Sequence, residues 1–595
     1  MLVKPSKWQP IGVKGLEPAA EKAVRASVNT LVVAGPGAGK TELLAQRACL
    51  LLQTGLCAPP RRILAISFKR DAARNLGDRV RLRCGTELAR RFDSFTFDSF
   101  AKRLVDHFLA GVPKPWRPTA DYELKFRELD WKPTIRIADE PAESTALWKK
   151  FAQDKKPSWL NFHMLSILAE HILTLNPLVL GALRDTYSYV FLDEFQDTTG
   201  LQYQLTKTAF LASNAIMTAV GDPKQRIMQW AGALSGIFGQ FRSDFSGTVL
   251  RPLLNYRSAP ELVRIQSVLA AALDKKAVAA QSGDEVASLD GECRIFSFED
   301  SNAEATYLAS FVKKWIEADQ LSPRDVCILT RNRPPDYTSI LQDKLRNVGI
   351  VARVESDLQD LLSEPLTSVL IDLLRLAATP RAPAAWASTL DVLRETMGGD
   401  SEESQRESEQ RLAKFLKKLR SLLEKAGNTE KETTKILGTI ISFVGRKTLE
   451  ALHPQYKQGR FFAETLQQVC SHLSRYRDTL DWKEALDEFE GLHSVPIMTV
   501  HKSKGLEYHT VVFVGLEDSA FFNFQRNPTE EVCTFFVAFS RAKSRVIFTY
   551  CEQRERPAGT PARPQERETI QPLYEILQNA GGVLEQVKDL ESYSL

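Results

Sequence analysis

Residues 190 to 199 read VFLDEFQDTT: an apolar run stops abruptly on two adjacent carboxylates, Asp193 and Glu194, followed by Gln196 and a third acid, Asp197. Neighbouring carboxylates repel each other and are costly to desolvate unless a cation pairs with them. A solvated strand end is one setting for such a pair, because Asp and Glu are mostly surface residues. The other setting is chemical: one carboxylate holds a divalent cation and the other polarises a water. That chemistry needs a phosphate site elsewhere in the chain, and one is legible upstream. Residues 30 to 48, TLVVAGPGAGKTELLAQRA, run from a short apolar strand into a helix start. Between them lie Ala34, Gly35, Pro36, Gly37, Ala38, Gly39, Lys40 and Thr41. Three glycines let backbone N–H groups face inward on an anion. The following helix N-terminus adds its positive dipole end. In this pattern Lys40 reaches the β- and γ-phosphates, and the Thr41 hydroxyl reaches Mg²⁺. Asp193 is then the expected Mg²⁺ partner and Glu194 the expected water-activating base.

Elements must hold these groups in place. PRRILAISF (60–68) predicts a second strand, and RFDSFTFDSFAKRL (91–104) a third running into a helix. DVCILTRN (325–332), GIVARVE (349–355), SVPIMTV (494–500), TVVFVGL (510–516) and SRVIFTY (544–550) predict a second group of strands. Strands alternating with helices imply doubly wound parallel sheets, an α/β fold. Residues 101–185 and 381–490 read as mostly helical. In 411–427, Leu412, Phe415, Leu416, Leu419, Leu422 and Leu423 form one stripe, expected to pack in a core. GGDSEESQRESEQ (398–410) reads as a polar linker, and RERPAGTPARPQERE (554–568) as disordered, followed by a short helical tail.

A chain of 595 residues has room for roughly four domains. Its net charge of +4 does not announce a nucleic-acid binder, but residues 61–91 carry ten Arg or Lys against three acids. The eight cysteines include no C-x-x-C pair, which argues against zinc and disulfide frameworks and fits a reducing cytosol. The first fifteen residues lack an apolar signal core, and no stretch is long enough to span a bilayer. The expectation is a cytoplasmic protein with no membrane association.

In chain order, AGPGAGKT, ILAISFKRDAARNLGDRV, TFDSFA, FLDEFQDT, VGDPKQRIMQWAGA, LLNYRS, TVHKSKGLEY and FVAFSRAK resemble the motifs of superfamily 1 helicases of the UvrD/Rep type, from about residue 15 to 550. The resemblance implies two RecA-like P-loop cores, each with a mostly helical insertion. They would be 1–100 plus 186–255 with insertion 101–185, and 256–380 plus 491–552 with insertion 381–490, then a flexible tail at 553–595. It implies an ATP hydrolase, using ATP and Mg²⁺, that moves 3′ to 5′ on single-stranded DNA and unwinds 3′-tailed duplex. DNA repair, recombination or phage defence, with a separate nuclease partner, is the analogous setting. The alternative is a DNA-gated ATPase switch, or a translocase that strips proteins without processive unwinding. By resemblance Arg257 and Arg541 are arginine fingers, Gln225 senses the γ-phosphate and Gln196 orients the water. Tyr256 stacks on adenine and Glu507 holds the ribose. Phe68 and Trp230 stack bases, while Thr96, Ser99, Arg331, Asn332, His501 and Lys502 lie along the sugar–phosphate backbone. The chain departs from the family pattern at Ala34, at Ala20 in place of an adenine-reading Gln, at Lys69-Arg70-Asp71, at Ala231 and at Cys533.

Overall fold

The computed structural model describes residues 3–587 apart from 115, 126–128, 130, 132–141, 398–401, 458–459 and 556–561. Two parallel sheets organise it. The first comprises β1 (Thr30–Val33), β2 (Arg62–Ser67), β3 (Phe92–Thr96), β4 (Tyr187–Leu192), β5 (Ile216–Gly221) and β6 (Thr248–Leu250), in the order β3-β2-β4-β5-β1-β6. The second comprises β7 (Glu292–Asp300), β8 (Val326–Thr330), β9 (Val351–Val354), β10 (Ser494–Thr499), β11 (Tyr508–Phe513), β12 (Ala542–Arg554) and β13 (Val583–Gln586), in the order β9-β10-β8-β11-β12-β7-β13. Each strand of both lists pairs in parallel with its neighbours. Strands buried on both faces read as continuous apolar runs, as in VFL of β4 and VVF of β11. These are two RecA-like cores.

The phosphate loop lies between β1 and the Lys40–Gln53 helix, whose residues from Leu43 to Leu52 are all buried. Buried Arg47 on this helix donates to the carbonyls of Ala23, Val24 and Ala26. It thereby ties down the end of the Pro18–Arg25 helix, where a cation is favoured. Between β3 and β4 the described residues are mainly helical, with Phe97–Phe108, Phe162–Leu175 and Pro177–Thr186 the longest. Between β9 and β10 lie the helices from Ser356 to Glu490, which share one apolar core. That core takes in Leu412, Phe415, Leu416, Leu419 and Leu423, as the stripe predicts.

Three expectations need correction. The polar stretch 398–410 is not a linker throughout: 398–401 lie outside the described residues, but 402–410 begin the Glu402–Lys425 helix, with Ser408 fully buried. The proposed disorder at 554–568 fails where it is described. Arg554 is buried between Glu304 and Glu517, and Arg563–Pro564 pair antiparallel with β12; 556–561 lie outside. Residues 562–587 are no loose tail either, although the expected short helix is present; 588–595 lie outside the described residues. Helix Gln571–Asn579 buries Leu573, Tyr574 and Leu577, and β13 extends the second sheet beside β7. Low local hydropathy concealed segments that tertiary partners hold.

Candidate nucleotide seam and nucleic-acid face

In the phosphate loop, Gly37 and Gly39 have φ of +72° and +68°, a left-handed conformation that a side chain resists. A Cβ on Gly37 would also collide with Asn255. The loop is fastened by Ala34 N–H to Gly221 O at 3.0 Å and by Tyr256 N–H to Gly37 O at 2.9 Å. Lys40 Nζ donates to the Ala34 and Gly35 carbonyls at 3.3 and 3.0 Å. Burial pushes its pKa down, and Glu194, Asp222 and Asp193 oppose that push.

At the end of β4, Asp193 is 3% exposed and its N–H bonds the Ile66 carbonyl on β2. Glu194 sits at φ +48°, an uncommon conformation for a residue with a side chain and one found at functional sites. Gln196 Nε2 donates to Glu194 at 2.5 Å, and Gln196 Oε1 accepts from Asp222 N–H at 3.0 Å. Burial and the neighbouring Glu194 raise the Asp193 pKa. Burial raises Glu194 too, but Lys40, Lys504, Gln196 and Arg541 outweigh it and hold that carboxylate ionised. A buried acid held above its ordinary range beside an ionised one is a fitting donor set for a divalent cation, which reverses such a shift. Asp193 is the Mg²⁺ partner expected from sequence, and Thr41, the other expected one, is the second residue of the Lys40–Gln53 helix; the cation would neutralise phosphate charge when bound.

The second core closes this site. Arg541, 2% exposed, donates to Gln225 Oε1 at 3.0 Å and to the Val537 carbonyl at 3.0 Å. Burial, with Arg257 nearby, lowers its pKa to about 9. Arg257 donates to Glu507 at 2.9 Å and to the Ser540 carbonyl at 2.9 Å. Glu507 also pairs with Lys543 at 3.0 Å. Gln225 in turn donates to Asp222 at 3.1 Å. Ala20 is buried on the Pro18–Arg25 helix. Just before it, Glu17 receives the N–H groups of Leu253 and Leu254, close to Tyr256.

Three contributors were not singled out from sequence. Lys504 pairs with Asp197 at 2.5 Å and donates to the Gln225 carbonyl at 2.7 Å. Asp222 holds Gln225. Asn255 accepts from the N–H groups of Arg257 and Ser258 beside Gly37. Lys504 and Asp222 stand inside quoted motifs, and only their burial reveals the load they bear.

The residues expected along DNA are not all free. Trp230 is 71% exposed and stands edge-on to His501, 6.3 Å between ring centroids. His501 bonds the Ile227 carbonyl at 3.2 Å, and burial lowers its pKa to about 4. Phe68 is half-buried, packed against an apolar cluster that joins Met228 of the first core to Val500 and others of the second. Thr96 caps the Phe97–Phe108 helix through Ser99 N–H at 3.1 Å. Phe68, Thr96 and Ser99 line a cavity of about 2150 Å³ between the first core and the helices after β9, and no phosphate-loop residue lines it. Its wall carries seven Lys or Arg, among them Arg70, Arg74 and Arg81, and nine Asp or Glu; Arg70 pairs with Glu364, and Arg74 and Arg81 with Asp78. Arg331 is forked on Glu531 at 2.7 Å twice, Asn332 donates to the Ala520 carbonyl at 3.0 Å, and Lys502 pairs with Asp360 at 2.6 Å. No single helix among the described residues is long and apolar enough to cross a membrane.

Two RecA-like cores, with the phosphate loop on one and two arginines arriving from the other, define a two-core P-loop ATPase. Comparison with known families matches the UvrD/REP helicase N-terminal domain at residues 16–159 and 125–246, and the UvrD-like helicase C-terminal domain at 253–437 and 399–553. The chain is 24% identical to the probable DNA helicase II homolog of Rickettsia felis, over 91% of this chain and 93% of that protein. It is 24% identical to DNA helicase II of Escherichia coli K12, over 88% and 83%, and to ATP-dependent DNA helicase Rep of the same organism, over 92% and 93%. The chain belongs to the UvrD/Rep helicase family, whose members are ATP-driven DNA helicases.

Proposed function

We propose that this helicase moves 3′ to 5′ along single-stranded DNA and opens 3′-tailed duplex, with Mg²⁺-dependent ATP hydrolysis at the seam between its cores. The observation that carries the reading is the shared hydrogen-bond network of Gln225, Arg541, Lys504 and Asp197, which spans both cores beside Glu194. In this reading Lys40 and Thr41 bind phosphate and metal, and Asp193 completes the metal site. Glu194 takes a proton from the attacking water, which Gln196 orients. Arg257 and Arg541 stabilise the charge that develops on the transferred phosphoryl group. Tyr256 and Glu507 hold the nucleoside. Closing the cores changes the spacing of Phe68 and Trp230, which stack bases, so that one hydrolysis event advances the strand.

The domain ranges expected from sequence, with helical insertions at 101–185 and 381–490, belong to the same proposal. A setting in DNA repair, recombination or antiviral defence, with a separate nuclease partner, rests on analogy with related motors. The second reading, a translocase that strips proteins without processive unwinding, is favoured by Ala231, which leaves the position after Trp230 without a cation. Streptavidin displacement from oligonucleotides biotinylated at either end tests polarity: faster release from the 5′ end is expected, and faster release from the 3′ end overturns the assignment. Strand displacement on a 3′-tailed duplex separates the two readings.

A further inference from the structure

Lys69 joins the two functional regions, and neither the nucleotide seam nor the nucleic-acid face described above accounts for it. It directly follows Phe68 and is the extended residue that precedes the Arg70–Ala89 helix. Its side chain leaves the first core. Lys69 Nζ donates to the carbonyls of His501 at 2.9 Å and Lys504 at 3.3 Å. Both carbonyls belong to the turn around the Val500–Ser503 helix of the second core. In the opposite direction, Lys504 Nζ reaches Asp197 and the Gln225 carbonyl of the first core. Each core thus sends one lysine into the other. Gln225 also accepts from Arg541, so hydrogen bonds run from Arg541 through Gln225 and Lys504 to Lys69, one peptide bond from Phe68.

This is a costly place for a cation. Burial, with Lys504 nearby, pushes the Lys69 pKa down to about 8, against the pull of Asp197, Asp71 and Glu194. A neutral side chain would avoid both the desolvation and the repulsion between two ammonium groups. What the lysine adds is reach and charge-assisted N–H donors for two backbone carbonyls of the opposite core.

We propose that Lys69 is the positioning residue that couples core closure to the grip on single-stranded DNA, by clasping the His501 and Lys504 carbonyls so that Phe68 moves with the turn bearing His501. The inference rests on the DNA-driven ATPase reading above. Lys69 hydrogen-bonds none of the groups assigned to hydrolysis, so its effect is on stimulation by DNA rather than on the chemical step itself.

The test compares full-length wild type, Lys69→Met and Lys69→Arg. Methionine keeps an unbranched stem in the buried space and removes the donors. ATP turnover is measured with and without oligo(dT), with KM for ATP. Oligo(dT) affinity is measured by fluorescence anisotropy with ADP and with a non-hydrolysable ATP analogue. For Lys69→Met we expect unstimulated turnover and KM within about two-fold of wild type, about ten-fold loss of DNA stimulation, and an oligo(dT) affinity that no longer depends on the nucleotide. Lys69→Arg, with several N–H donors, restores most of the stimulation. Stimulation of Lys69→Met equal to wild type overturns the inference. So does a parallel loss of unstimulated turnover, or an arginine variant no better than methionine. A wild type that oligo(dT) does not stimulate removes the parent reading and this inference together, and that is seen before any variant is compared.

Discussion

The nucleotide seam and the nucleic-acid face are built on opposite plans. On the seam, polar groups from both cores are matched: Lys504 with Asp197 and Arg541 with Gln225 in buried pairs, and Arg257 with the exposed Glu507. On the nucleic-acid face, the most exposed expected contact is an aromatic ring, Trp230, and both expected cations are spoken for within the protein. Arg331 is forked on Glu531, and Lys502 is paired with Asp360. The difference teaches that hydrolysis requires charges fixed before the substrate arrives, whereas a sequence-tolerant track requires exposed stacking surfaces. Groups on the seam should therefore fail abruptly when removed, and groups on the face by degrees.

The largest effect should come from the seam. Arg541→Ala and Glu194→Gln should each lower ATP turnover by about 10³-fold, as loss of an arginine finger or of a general base does. Steady-state hydrolysis measures this, and a loss below ten-fold for either would break the contrast. Next, Arg331→Ala leaves Glu531 buried without its partner, at a cost of about 3 kcal/mol. Thermal unfolding should show a clear fall in Tm; an unchanged Tm with weakened DNA binding would move Arg331 back among the direct contacts. Trp230→Ala should weaken oligo(dT) binding by about 1–3 kcal/mol while leaving Tm and unstimulated turnover unchanged, read by fluorescence anisotropy.

The smallest effect concerns pH. The His501 pKa is lowered from 6.5 to about 4, so the unfolded chain binds more protons than the native one between those values. The contribution is present in full above pH 6.5 and is lost as pH falls toward 4. His501→Gln should flatten the acid side of the stability profile measured by chemical denaturation, and an unchanged acid slope would contradict the neutral, buried ring.

Much of the seam was readable from residue type and spacing, because phosphate binding demands glycines, a lysine and paired acids in a strand–loop–helix context. Lys504 and Asp222 were not, since their roles depend on what folds against them. The strand Glu292–Asp300 escaped notice because charges flank its apolar centre, although Phe296 and Phe298 are buried between neighbours. Residues 554–568 read as disordered, and the stretch after them as a flexible tail with a short helix, because their partners, β7 and β12, are distant in sequence. On the nucleic-acid face, sequence placed Arg331 and Lys502 near the strand but could not show that Glu531 and Asp360 already hold them. Neither the spacing nor the charge of those acids signals a pairing across such separations.

The central claim is that the two cores form one ATPase engine that DNA drives. It is tested most directly by ATP turnover of the wild type with and without oligo(dT), beside Lys40→Ala. Stimulation of about ten-fold or more in the wild type, with hydrolysis absent from Lys40→Ala in both conditions, is the predicted result. Equal turnover with and without oligo(dT) would contradict it.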